Sequence, residues 1–89
     1  MYAMLLKVHL DPARAEDTER YLHEAVVPRT KEASGFVRSI WIGDSTTGYA
    51  LTLFDSEEHA RQRAGMVSSA PDDPIQIQEV KVYEVRAEA

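Results

Sequence analysis

The sequence has no cysteine among its 89 residues. Without cysteine the chain cannot form a disulfide, offer a thiolate to a metal or use a thiol as a nucleophile. A chain of this kind suits a reducing compartment, so we expect the protein to be cytoplasmic. The absence also removes thiol redox chemistry from the functions to consider.

Long hydrophobic runs and basic clusters are missing as well. A membrane-spanning helix needs about 18 or more apolar residues in succession, and the sequence has no such run. The first eight residues are too short and wrongly flanked for a signal peptide. Acidic residues outnumber basic ones by 15 to 10, which gives a net charge of -5. Nucleic acids and anionic membranes attract basic patches, so we expect neither as a partner.

The motifs of several enzyme classes are absent. The three histidines, His9, His23 and His59, show no short ligand spacing, so no metal site is predicted. No serine lies in a nucleophile-elbow motif, and no glycine-rich phosphate loop is present. Metal-binding, hydrolase and nucleotide-binding functions therefore have no support in the sequence.

Four strands are predicted from short apolar or alternating segments. Residues 4–10 form an apolar run, broken only by Lys7 and His9, that Asp11-Pro12 ends. Residues 36–42 and 49–54 are predicted as strands whose side chains alternate between two faces, and a turn-forming segment, Gly43 to Gly48, lies between them. This pattern predicts an antiparallel hairpin. Residues 80–85 predict the last strand, after a loop over residues 68–74.

Two helices are predicted, and the first is expected to be long and bent. From Ala13, apolar positions recur at helical spacing after a capping residue, Asp11. Pro28 lacks an N–H, so the helix should be kinked or interrupted near residues 25–27 before Gly35 ends it.

The second predicted helix follows an apparent capping box at residues 55–58, Asp-Ser-Glu-Glu. We expect Asp55 or Ser56 to be the cap and Glu58 to reach back to it. The helix should bury three apolar residues, Ala60, Ala64 and Val67.

The order of elements is strand, helix, strand, strand, helix, strand. This order predicts a ferredoxin-like α+β fold, in which a four-stranded antiparallel sheet carries both helices on one face. We expect residues 1–89 to form this fold as a single domain.

The predicted sheet is apolar on both faces. In the first strand Met4, Leu6 and Val8 alternate with Ala3 and Leu5, and the second strand has apolar residues on both sides too. An antiparallel sheet usually turns one polar face to water. A homodimer whose sheets pack face to face would cover the second apolar face, so we expect a homodimer.

These features resemble the dimeric α/β barrel proteins of the antibiotic biosynthesis monooxygenase type. The resemblance covers nearly the whole chain and rests on the first strand, the Ser34-Gly35-Phe36 junction, the hairpin, and residues 53–60. It implies a homodimer with a pocket in each subunit between the helices and the sheet. Some relatives are cofactor-free oxygenases of polycyclic aromatic substrates and some degrade heme. Others have isomerase or decarboxylase-type chemistry or no known activity.

The heme-degrading branch of that family uses an asparagine on strand one, a tryptophan that ends strand three and a histidine on the second helix. The matching positions here are His9, Phe54 and roughly Arg63, so none of the three residues is retained. His59 lies about 100° from Ala60 around the helix axis and cannot simply substitute. We therefore expect no cofactor, and heme degradation is disfavoured.

Four residues are candidates for the site of a cofactor-independent oxygenase acting on an aromatic or polyketide-like molecule. His9 is the candidate general base, because an imidazole titrates near neutrality. His23, Trp41 and Phe54 are candidates for shaping the substrate pocket. Each has a structural alternative: a strand-end contact for His9, a surface position for His23 and core packing for Phe54. Trp41 is expected to face the partner subunit.

The competing function is a non-catalytic dimer that binds a small apolar ligand or stabilises an assembly. An enclosed pocket with His9 pointing inward would favour the oxygenase. Helices packed directly onto the sheet, with no cavity between them, would favour the non-catalytic dimer.

Overall fold

The computed structural model describes residues 1–89 and contains one four-stranded antiparallel sheet. Its strands are β1 (Tyr2–Leu10), β2 (Phe36–Gly43), β3 (Thr47–Phe54) and β4 (Ile75–Glu84), in the spatial order β2-β3-β1-β4. β1 is central and pairs with β3 on one side and β4 on the other. The predicted ferredoxin-like fold is confirmed.

The first helical segment changes its winding along its length. It consists of a 3-10 turn at Pro12–Arg14, α1 (Ala15–Tyr21), a π-helical turn at Leu22–Val26 and α2 (Val27–Lys31). Pro28 lies in the first turn of α2, where its missing N–H is tolerated. The predicted interruption before Pro28 is confirmed, and it takes the form of a wide turn that begins at Leu22.

The predicted hairpin joins β2 to β3, with Gly43 opposite Gly48. At its turn the Asp44 carboxylate accepts the backbone N–H groups of Thr46 and Thr47 at 2.9 and 2.8 Å. These bonds stabilise the ionised form and lower the pKa of Asp44.

β4 begins earlier than the sequence predicted, at Ile75 rather than Val80. Residues 75–78 alternate isoleucine with glutamine, and residues 75–77 pair with the end of β1 beyond a bulge between Lys7 and Val8. Such a short polar alternation is a weak strand signal on its own, and its pairing with β1 makes it a strand.

The second helix, α3 (Glu57–Ala64), begins at Ser56, whose hydroxyl accepts the N–H of His59 at 3.2 Å. Ser56 is thus the predicted cap. The role expected for Glu58 is wrong, because His59 occupies the third helical position, which a capping box gives to Glu or Gln. Nδ1 of His59 instead lies 2.6 Å from Oδ1 of Asp55, and this bond lowers the pKa of Asp55 from its ordinary 3.8. Neither helical region has the length and apolar character needed to cross a bilayer.

The two faces of the sheet have different surroundings. On the helix-covered face, Met4, Phe54 and Ala60 form the buried core. The other face has no helix over it and leaves large apolar side chains exposed: Ile40, Ile42, Tyr49, Leu51 and Tyr83. The apolar character expected on both faces is therefore present, and the uncovered one is called the open sheet face below.

Gly35 lies in the turn between α2 and β2 with a φ of 75°, which only glycine adopts easily. The first helical segment itself ends earlier than predicted, at Lys31. A Cβ at Gly35 would also overlap the His59 ring and the Asp55 side chain. We therefore expect Gly35→Ala to lower the free energy of unfolding by more than about 1 kcal/mol, measured by denaturant unfolding.

Gly65→Ala is the matched control, because Gly65 has a φ of -76° and an added Cβ there meets only ordinary contacts. We expect this variant to keep or slightly gain stability. Equal losses in the two variants would contradict the role assigned to Gly35.

Candidate functional site

A cavity of about 460 Å³ lies between the helical segments and the sheet. The sheet contributes Met4, Leu6 and Val8 from β1 and Trp41 from β2. The helical side contributes four residues of the first segment that share the inner face: Thr18, Tyr21, Leu22 and Val26. The volume falls within the range of small-molecule sites, and the lining is mostly apolar.

The cavity exists because β3 turns small residues toward the helices. Gly48, Ala50 and Thr52 lie side by side with the larger β1 residues Val8, Leu6 and Met4 in the register of the two strands. The next inward residue of β3 is large: Phe54 is 0% exposed and packs in the core. The space beneath the helices is therefore closed by packing at the Phe54 end and left unfilled along the rest of β3.

Trp41 lines this cavity. It pairs with Ala50 in the hairpin register and has the same strand parity as Ser39, whose Oγ lies 2.7 Å from Oγ1 of Thr52. The expectation that Trp41 faces a partner subunit is wrong, because strand alternation shows which residues share a face but not which face meets the helices. In the cavity wall, its indole offers a flat surface to an aromatic ligand.

The other three residues predicted for the site do not line the cavity. Phe54 is completely buried in the core. His23 is exposed, with Nε2 3.4 Å from a carboxylate oxygen of Glu19. His9 is exposed on β1 between two cavity-lining residues, so its strand parity directs it away from the cavity. Of the four candidates, the structure brings only Trp41 to the cavity.

Two polar groups in the cavity wall have no hydrogen-bond partner. Thr18 is 8% exposed and its Oγ1 is unpaired, and the buried Nε of Arg63 is unpaired too. A buried polar group without a partner costs free energy, and both residues belong to the cavity lining. The sequence did carry a weak signal, since Arg63 follows the buried Ala60 by three positions and so lies on the same side of α3.

A smaller, polar cleft of about 290 Å³ adjoins the cavity and shares Arg29, Arg63 and Met66 with it. Arg29 lies over Tyr21, with its guanidinium carbon 6.0 Å from the ring centroid. Neither Arg29 nor Arg63 takes part in any ion pair of the structure. The junction of cavity and cleft therefore holds two guanidinium groups without carboxylate partners.

The sheet order and the helices on one face define a ferredoxin-like fold. The sequence matches no protein-family model, and no curated protein matches it at a significant level. Among solved structures, the chain is similar to MhuD of Mycobacterium tuberculosis, a heme-degrader with two hemes bound in its active site. The likeness spans 100% of this chain and 99% of MhuD, with a TM-score of 0.68 and 12% identity. At this identity the likeness shows the fold alone.

The cavity does not fit an imidazole-ligated heme. Heme iron is held in proteins by histidine, cysteine, methionine or tyrosine, and the cavity lining contains methionine and tyrosine but no histidine or cysteine. Arg63, which the family resemblance matches roughly to the histidine of the heme-degrading branch, carries a guanidinium that cannot ligate iron. The expectation that heme degradation is disfavoured stays a prediction.

Two buried threonines of the first helical segment give a direct test of the unpaired hydroxyl. Thr18 is 8% exposed and unpaired, whereas Thr30 is 5% exposed and donates to the Val26 carbonyl at 2.8 Å. Valine has nearly the shape of threonine. We therefore expect Thr18→Val to leave the melting temperature unchanged or raise it, and Thr30→Val to cost about 1 kcal/mol of unfolding free energy.

Both variants are measured by thermal and denaturant unfolding without ligand. A loss for Thr18→Val as large as that for Thr30→Val would show that the Thr18 hydroxyl is already satisfied in the folded chain.

Proposed function

We propose that this protein binds a small aromatic or polyketide-like molecule in the cavity between the helices and the sheet. The observation that carries the proposal is the meeting of Trp41 with the unpaired Thr18 hydroxyl and Arg63 Nε in one apolar cavity. The apolar walls bury the rings, Trp41 stacks on them, and the two polar groups bond the ligand's oxygens. The cytoplasmic location expected from the lack of cysteine stays a prediction.

We also propose that two copies pair through the open sheet face into a dimeric α/β barrel. On this face Ile42 is 64% exposed, Leu51 is 40% exposed and Tyr83 is 50% exposed. Contiguous apolar surface is unfavourable in water, at about 25 cal/mol per Å². Face-to-face packing of the two sheets, at about 10 Å, removes that surface from water.

Leu51→Asp tests the homodimer, because it places a charge in the middle of the open sheet face. We expect a dimer for the wild-type chain in size-exclusion chromatography with light scattering. The variant should be monomeric or unfolded, since an unpaired charge is costly in an apolar interface.

Met66→Asp is the control, since Met66 is equally prominent, at 65% exposed, but lies in the walls of the cavity and the cleft. We expect it to remain dimeric. A monomeric wild-type chain would overturn the homodimer.

The chemistry that we propose for the bound molecule is cofactor-independent oxidation by dioxygen. A guanidinium such as that of Arg63 favours the anion of a bound phenol or enol, which is the electron-rich form that reacts with dioxygen. In an anthrone-type substrate, a ring methylene loses two hydrogens and gains one oxygen atom as a carbonyl. The second oxygen atom leaves with those hydrogens as water, so atoms and electrons balance without a cofactor.

The role of His9 as the general base stays a prediction. Its position on the open sheet face gives this role no support within one subunit. Turnover that His9→Ala leaves unchanged would show that His9 is not the base.

Ala50→Leu tests the cavity as the binding site, because Ala50 is 5% exposed in the cavity wall beside Trp41. The larger side chain should fill the space and weaken binding of anthrone by about tenfold or more. Quenching of Trp41, the chain's one tryptophan, measures binding. Oxygen consumption with anthrone and quinols measures turnover, which should fall in parallel.

Ala70→Leu is the matched control, because Ala70 is exposed and outside the cavity lining. It should bind anthrone as the wild type does. Equal binding by both variants, with melting curves that show both folded, would place the ligand elsewhere. Binding without oxygen consumption would favour the non-catalytic dimer.

A further inference from the structure

We infer that the ligand of this cavity carries a carboxylate, held between Arg29 and Arg63 where the cavity meets the polar cleft. The inference rests on the proposed small-molecule binding. It adds the charge of the ligand and the end of the cavity at which that charge lies. It follows from two observations. The two guanidinium groups have no carboxylate partner, and the acidic residues around them do not neutralise their charge.

Two arginines on α3 show the contrast that singles out Arg63. Arg61 faces outward, and its Nε and Nη2 donate to the Glu57 carboxylate at 3.2 and 3.1 Å. Arg63 follows the completely buried Ala60 by three positions, and its buried Nε has no acceptor. A guanidinium donor in a partly desolvated site gains most from an ionised acceptor. The folded chain supplies Arg61 with such an acceptor and leaves Arg63 without one.

Arg29 reaches the same place from the other helical segment. It lines both the cavity and the cleft, as Arg63 does. Its guanidinium lies over Tyr21 at 6.0 Å and forms no ion pair. Stacking on an aromatic ring leaves the edge of the guanidinium free to donate hydrogen bonds.

The acidic residues nearby do not neutralise these two cations. Glu19 pairs with His23 at 3.4 Å. Asp44 accepts two backbone N–H groups in the hairpin turn. Glu32 lines the cleft but forms no ion pair with either arginine.

The charge that remains suits a singly charged ligand. Two guanidinium groups share the junction with one otherwise unengaged carboxylate, Glu32. A carboxylate matches the planar donor edge of a guanidinium, whereas a doubly charged phosphate would meet stronger repulsion from Glu32. The apolar body of the ligand then lies toward Trp41, and its carboxylate lies toward the cleft.

The test compares three naphthalene probes that differ in one group: 2-naphthoate, neutral 2-naphthamide and 2-naphthyl phosphate. Affinities for the dimeric wild-type chain and its variants are measured by isothermal titration calorimetry at one fixed ionic strength. We expect 2-naphthoate to bind about tenfold or more tightly than 2-naphthamide, since a hydrogen bond to a charged group contributes about 1.5–3 kcal/mol.

Arg63→Gln and Arg29→Gln should each lower the affinity for 2-naphthoate by about tenfold. The affinity for 2-naphthamide should change by less than about threefold. Arg63→Lys should restore part of the preference because it restores the charge. Arg61→Gln, which removes the same charge from the outer side of α3, should leave both affinities unchanged.

The outcomes separate the inference from the function on which it rests. Equal affinity of the wild type for 2-naphthoate and 2-naphthamide would overturn the carboxylate and leave the proposed binding function standing. Tighter binding of 2-naphthyl phosphate than of 2-naphthoate would also overturn it. Binding of none of the probes would count against the proposed function itself. The wild-type comparison decides the question even where a variant fails to fold.

Discussion

The small side chains that β3 turns toward the helices are the constraint on which the rest of the structure depends. Where that row ends in Phe54, helix and sheet pack to complete burial around Met4 and Ala60. Where it consists of Gly48, Ala50 and Thr52, the same two layers stand apart. A chain of this size has little apolar burial to spare, so space kept under the helices makes burial of the open sheet face more valuable. The cavity and the proposed dimer are linked in this way.

Most of the fold was predictable because its signals are local in the sequence. The alternation of faces indicated the strands of the hairpin, helical spacing indicated the helices, and Pro28 indicated the interruption of the first segment. That segment ends at Lys31, before Gly35. The early part of β4 escaped prediction because its short isoleucine and glutamine alternation becomes a strand only through pairing with β1 across a bulge. The bond between His59 and Asp55 escaped it too, since it depends on which of two residues caps α3.

The candidate site was less predictable than the fold. It depends on which face of the sheet meets the helices and on which polar side chains lack a hydrogen-bond partner. Parity holds from Arg38 to Ile42 of β2, whereas a bulge between Phe36 and Arg38 shifts the register at the start of the strand. Only packing shows that Trp41 lies under the helices. Thr18 and Thr30 look alike in sequence, yet one hydroxyl finds a carbonyl and the other does not. The row of small residues on alternate positions of β3 is a feature of the cavity that can be recognised in the sequence.

The π-helical turn at Leu22–Val26 sets the angular position of everything that follows it. In an unbroken α-helix, 11 residues return to within roughly 20° of the starting direction, so Arg29 would point with Thr18 straight at the sheet. An extra residue in one turn rotates the continuation by about 100°. Arg29 then lies roughly 80° to the side, beside Tyr21, and Thr30 takes the inward position, as their exposed and buried states show. The extra residue in this turn thus moves the Arg29 guanidinium from a position that faces the sheet to the edge of the cavity.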